Sequence, residues 1–209
     1  MKLHRDLGIK QDSAWHLLHR IGAAFAPVQA AALEGSVEAD ETYIGGLEKN
    51  KHEHKKLKAG RGTVGKTPVL GIKDRKTGEI RTEAATDTTA ATVQEFVQDN
   101  TADDVTLYTD TSAVYTGSDV AVHESVNPSI GEWVKGQAHT NGLESFWALF
   151  KRAYHGTYHH ISKKHLNRCV QQFAGKHNVR DLETLAQMQH VVACMVGKRL
   201  QYKDLTGNT

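Results

Sequence analysis

Three acidic residues stand where their type and spacing could do chemistry. Asp40 lies in the run Val37-Glu38-Ala39-Asp40-Glu41-Thr42-Tyr43-Ile44, Asp110 closes Tyr108-Thr109-Asp110, and Glu144 falls in Asn141-Gly142-Leu143-Glu144-Ser145-Phe146-Trp147. Each alone is an ordinary surface acid or cap. Brought together they would repel one another, and their ionised forms are tolerable only with a cation between them. Oxygen ligands of this kind suit Mg²⁺ or Mn²⁺. Two such ions about 3.5–4 Å apart would activate a water or a 3′-hydroxyl and stabilise the leaving oxygen at a phosphodiester.

The elements that must position these acids can be read from periodicity. Residues 139–152 predict a helix: at about 100° per residue, Asn141, Glu144, Ala148 and Lys151 share one side, and Leu143, Phe146, Trp147, Phe150 and Tyr154 the other. Thr140 is expected to cap its start, and Gly156 lies just past its expected end. Residues 37–44 predict a strand with Glu38, Asp40 and Thr42 on one face and Val37, Ala39 and Tyr43 on the other. Residues 69–74 and 79–86 pair as a hairpin, 90–99 form a helix with Val93, Phe96 and Val97 inward, and 104–110 and 121–126 form further strands. Two helical patterns follow, at 164–173 and 181–196. This order predicts an α/β chain, a ribonuclease H-like mixed sheet with flanking helices, over residues 36–200. In such a sheet the first and fourth strands are neighbours and a late helix crosses beside them, so the three acids converge.

Residues 1–30 read as a partial helix-turn-helix. Its second helix, residues 11–25, sets Trp15, Leu18, Ile21 and Phe25 at helical spacing and presents Gln11, His16, His19 and Arg20 on its other face, a form suited to the major groove. A basic insert at 49–66, with Lys55, Lys56 and Arg61 among its cations, reads as a solvated loop able to hold phosphates by charge. Within it, Gly60-Arg61-Gly62-Thr63-Val64-Gly65-Lys66-Thr67 matches a phosphate-binding loop pattern, but an expected strand follows where that loop needs a helix, so no nucleotide cofactor is expected. His155, His159 and His160 follow a helix end without a spaced acidic partner and read as a polar or DNA-facing loop rather than a metal site. Residues 202–209 read as a frayed tail.

A net charge of +2 permits nucleic-acid binding without requiring it. No apolar run approaches the roughly 20 residues of a bilayer span, and residues 1–6 lack the apolar core of a signal peptide, so a cytoplasmic protein acting on chromosomal DNA is expected, with no membrane partner. Cys169 and Cys194 form no metal-binding pair and read as small core residues.

The motifs quoted above, with Lys151-Arg152 and Tyr154-His155-Gly156-Thr157-Tyr158-His159-His160-Ile161-Ser162, together resemble those of an ISXO-type insertion-sequence DDE transposase. The resemblance implies metal-dependent DNA cleavage and strand transfer at transposon ends, with double-stranded DNA, both transposon ends and target, as partner and a homo-oligomer on DNA. It carries the first two acids onto Asp40 and Asp110. The third member, described as Glu or Asn, falls on Glu144 or Asn141; Glu144 is favoured because a carboxylate binds a hard cation better than an amide. Lys151 matches the trailing lysine and, with Arg152, would meet DNA phosphate. The family's N-terminal zinc ribbon and complete helix-turn-helix precede the point where this sequence starts. The alternative reading is therefore a truncated, catalytically impaired copy that binds DNA only.

Overall fold

A computed structural model of the chain describes residues 2–26, 31–46, 48–57, 62–110, 115, 120, 122–126 and 139–207. Its centre is a five-stranded mixed sheet of order β3-β2-β1-β4-β5, built from β1 (Ser36–Ile44), β2 (Thr67–Asp74), β3 (Ile80–Ala84), β4 (Thr106–Asp110) and β5 (Val122–Val126). The first three strands run antiparallel to one another; β4 and β5 join β1 in parallel. This is the α/β, ribonuclease H-like arrangement expected from the element order, with the first and fourth strands adjacent.

Alternation along β1 assigns its residues to two cores. Val37 and Ala39 pack with Leu70, Ile72 and Leu107 beneath α3 (Ala90–Asn100), which turns Val93, Phe96 and Val97 inward as expected. Thr89 caps α3, its hydroxyl accepting the N–H of Thr92 at 3.4 Å. The other face carries α4 (Asn141–Ala153) and α5 (Lys163–Asn178), where Leu143, Phe146, Trp147 and Phe150 meet Ile44, Val69 and Ile80. Each aromatic ring buried there contributes about 1.5–3 kcal/mol relative to exposure. Gly71 in β2, paired with Asp40 in β1, makes room for the indole: a Cβ there would lie 2.5 Å from Trp147.

The outer border of β3 is closed by amides from α5. Asn178 accepts the N–H of Ile80 at 2.9 Å and donates to its carbonyl at 2.8 Å, and Asn167 accepts the N–H of Ala84 at 3.1 Å.

Several local expectations are corrected. The hydroxyl of Thr140 does not cap α4. Gly156 does not end it either: α4 runs into a π-helical turn, Tyr154–Tyr158, and the chain leaves the helix at His159, whose φ is +56°. Residues 202–206 are not frayed but form α7 (Tyr202–Thr206), with a capping box between Gln201 and Asp204 and Leu205 buried; residues 208–209 of the expected tail lie outside the described residues. The basic insert contains two short 3₁₀ turns, with Glu48 bound to Lys51 at 2.5 Å and Glu53 to Lys56 at 2.7 Å, so two of its lysines are already partnered. Cys169 and Cys194 are free thiols, partly rather than fully buried.

At the start of the chain, α1 (Lys2–Leu7) and α2 (Gln11–Ala24) are joined through Gly8 at φ +63°. The expected apolar face of α2 is only partly used: Ala14, Gly22 and Ala24 are buried while Leu18 is exposed. The reason is tertiary, because α2 docks on α5 and on α6 (Thr184–Met195). Phe25 fills the space over Gly175, and Lys198 donates to the carbonyls of Ala23, Ala24 and Ala26. No described helix is long and apolar enough to cross a membrane.

Candidate active site

The parallel pairing of β1 with β4 sets Ser36 beside Thr106, Val37 beside Leu107 and Glu38 beside Tyr108. The pairing ends there, and Asp40 and Asp110 each lie two residues beyond its last pair. Asp40 faces the α4 side of the sheet, as Glu38 does, and α4 lies along β1 and β2 with Glu144 on its exposed side. The carboxyl of Asp40 is pushed up to about 7, first by burial, then by the negative charges of Glu41 and Asp110 and, more weakly, Glu144. The N–H of Glu41 acts in the opposite direction. Asp110 and Glu144, the other two sequence-predicted acids, thus both act on Asp40.

Glu41 is the fourth acid of the group. Its own carboxyl is raised by burial and by Asp110, and held back by the hydroxyl of Tyr115, which donates to it at 2.9 Å. Burial and the adjacent Glu41 in turn push the Tyr115 phenol well above its ordinary range.

What holds α4 against β1 is Glu38. Its side chain is buried, and one carboxylate oxygen accepts the N–H of Leu143 at 3.2 Å, supplying the helix cap that Thr140 does not. The other oxygen accepts Nε of Arg75 at 3.0 Å. Arg75 also donates to the carbonyl of His139 at 2.5 Å and lies 3.8 Å from the centre of the Tyr108 ring. One guanidinium thus joins β1, β4 and the entry to α4. Gly142 sits where a Cβ would crowd Lys73 and Glu38. Sequence reasoning gave no role to Glu38, Glu41, Arg75, Tyr108 or Tyr115. The two glutamates flanking Asp40 were the available signal; Arg75 offered none, because its partners lie 37 and 64 positions away.

Asn141 is exposed at the first position of α4, and Lys151 and Arg152 are exposed two turns beyond Glu144. Gln11 and Arg20 are exposed on α2, but the His16 ring is bonded to the carbonyl of Leu200 at 3.1 Å. Lys55 is exposed in the basic insert and Lys56 is bound to Glu53; Arg61 lies outside the described residues. Lys66 is followed by β2 rather than by a helix, so the phosphate-loop pattern has no helix N-terminus to offer.

Residues 32–178 match the family model of the ISXO2-like transposase domain. The chain belongs to that family. A segment of 131 residues is 32% identical to the uncharacterized protein in transposable element ISH50 of Halobacterium salinarum. That alignment takes in 57% of this chain and 45% of the relative, so the chain spans less than half the length of that curated relative.

In this ISXO2-like transposase domain the charged side chains that act on Asp40 are the carboxylates of Glu41, Asp110 and Glu144, oxygen donors of a kind that fits a hard divalent cation. Among the described residues no three His, Cys, Asp or Glu side chains form a group that could hold a metal ion. Mg²⁺ does not need such a group: it is commonly held by one or two carboxylates with waters and substrate phosphate completing the shell. The charge repulsion at Asp40 is what a cation would relieve, and on that ground the residues fit one.

Proposed function

We propose that this chain is an insertion-sequence transposase that cuts DNA at transposon ends and joins the cut ends to a target, using Mg²⁺ or Mn²⁺. The observation that carries this reading is the position of Asp40: a half-buried carboxyl on the central strand, raised to about 7 by partial burial and by acids from three separate places in the chain, Glu41, Asp110 and Glu144. Asp40 and Asp110 would hold one ion and Asp40 with Glu144 a second. A divalent cation held by these carboxylates would supply polarisation of the scissile phosphate and a lowered pKa for the attacking water or 3′-hydroxyl. The chain's own residues do the rest. Glu38 and Arg75 fix α4 against β1 and β4, so that Glu144 is carried on a braced element. Lys151 and Arg152 would hold DNA phosphates, Lys151 as a point charge and Arg152 as a two-pronged donor. Asn141 would present its amide one turn before Glu144. Gln11 and Arg20 on α2, and Lys55 in the insert, would add contacts to double-stranded DNA. The protein would act on chromosomal DNA in the cytoplasm as a homo-oligomer.

A second reading, a copy that binds DNA without cutting it, is favoured by the lack of a three-ligand group among the described residues. Incubating the protein with Mn²⁺ and DNA carrying the ends of the element separates the two. The proposed function expects nicking at those ends, reduced about a hundredfold or more by Asp110→Asn. Nicking that survives the substitution removes the assigned acids; DNA binding without nicking establishes the second reading.

A further inference from the structure

We propose that the exposed apolar face of α6 is a self-association surface, on which a second copy of this chain docks its own α6 antiparallel. Leu185, Met188 and Val192 recur at spacings of three and four and form one stripe, Val196 stands just past the helix end in an extended conformation, and the four are 67%, 61%, 64% and 80% exposed. No residue of α6 is fully buried. The helix is nevertheless held, since it packs on α2 and the chain just beyond it is tied down by Lys198. The stripe is thus presented on a fixed support.

Charge at the two ends of the helix identifies the occupant. No Asp, Glu, Lys or Arg occurs between Glu183 and Lys198, in a chain of which 24% is charged. Asp181 and Glu183 precede the helix, and Lys198 and Arg199 follow it. A two-fold axis midway between Leu185 and Val196 sets each of these against the other in the partner copy. It also brings the acidic end of one α6 against the basic end of its mate. Such a self-complementary patch is what an isologous dimer contact requires. Lys198 is already bonded to α2, so Glu183 and the exposed Arg199 form the pair across the axis. An exposed stripe of this kind covers on the order of 300–600 Å², short of the roughly 800 Å² per partner of a standard stable interface. The dimer on its own is therefore weak. The proposal rests on the transposase reading, in which the chain acts on DNA as a homo-oligomer, and deepens it by naming the surface.

Sedimentation of the DNA-free protein across about 1–200 μM tests the surface. The expected result is a reversible dimer, weakened about tenfold or more by joint Met188→Glu and Val192→Glu substitution with an unchanged circular dichroism spectrum. Glu183→Arg and Arg199→Glu should each weaken it, and their combination should restore it. A protein monomeric throughout that range, or a dimer indifferent to the glutamates, overturns the proposal. Two charge reversals that fail to compensate overturn the antiparallel pairing. Because this measurement contains no DNA, a dimer of a protein that fails the nicking test leaves the surface standing and removes only the transposase reading.

Discussion

Glu38 accepts the main-chain N–H of Leu143 at 3.2 Å across 105 positions of sequence. One strand therefore does two tasks on one face: Glu38 grips the start of α4, and Asp40, two residues on, faces the same helix. The distance from Asp40 to Glu144 is set by that grip rather than by loop length. Removing it breaks the mostly buried ion pair between Glu38 and Arg75 from one side, which costs about 3–5 kcal/mol. Glu38→Ala is expected to lose stability on that scale in urea titration. Glu38→Gln, which keeps an acceptor for Leu143, should lose clearly less. Equal losses would mean that the charge on Arg75 does not need Glu38.

Asp40 predicts an unusual pH dependence. An unperturbed aspartate titrates near 3.9, whereas Asp40 is raised to about 7. Between those values the folded chain retains a proton that the unfolded chain releases, so stability falls as pH rises through about 4 to 7 and then levels off. The scale is on the order of 4 kcal/mol as an upper bound. Melting temperature recorded in EDTA should decline over that window, and Asp40→Asn should melt higher than the parent at pH 8 and alike near pH 4. Adding Mg²⁺ should raise the parent at pH 8 and leave the variant unchanged. A variant less stable than the parent at pH 8 would contradict the burial and repulsion assigned to Asp40.

Gly71 is predicted to be intolerant of any side chain. A Cβ there would stand 2.5 Å from the Trp147 ring, which is itself buried and cannot swing aside. Overpacking of this kind typically costs about 1–3 kcal/mol. Gly71→Ala should lower the denaturation midpoint accordingly and shift tryptophan emission, and since Trp147 lies one turn beyond Glu144 it should also depress DNA nicking. Gly46→Ala, at a position with open space around it, is the control and should do neither.

Much of the scaffold was legible because it is written locally. Period-two alternation in β1 and the four apolar positions of α4 assign residues to faces without reference to the rest of the chain, and Val37, Ala39, Leu143, Phe146 and Trp147 lie accordingly. The adjacency of β1 and β4 came from element order. What escaped was whatever depends on partners distant in sequence. Thr140 looked like the cap because it has the right type at the right place, but a carboxylate already fixed in the sheet takes its task. Leu18 looked like a core residue on α2, but docking on α5 and α6 selects Ala14, Gly22 and Ala24 instead. Arg75 carried no local mark at all, since its meaning is given by Glu38, Tyr108 and His139 together.

The amides of Asn167 and Asn178 have a consequence for how these molecules meet. Strand β3 is a sheet border, and a bare border is a template for a foreign strand. With Ile80 and Ala84 already engaged by side chains of α5, the β3 margin is sealed against such templating. Crowded copies of the chain cannot zip together along that margin, and contact between them is left to side-chain surfaces, where it stays reversible and open to selection by charge.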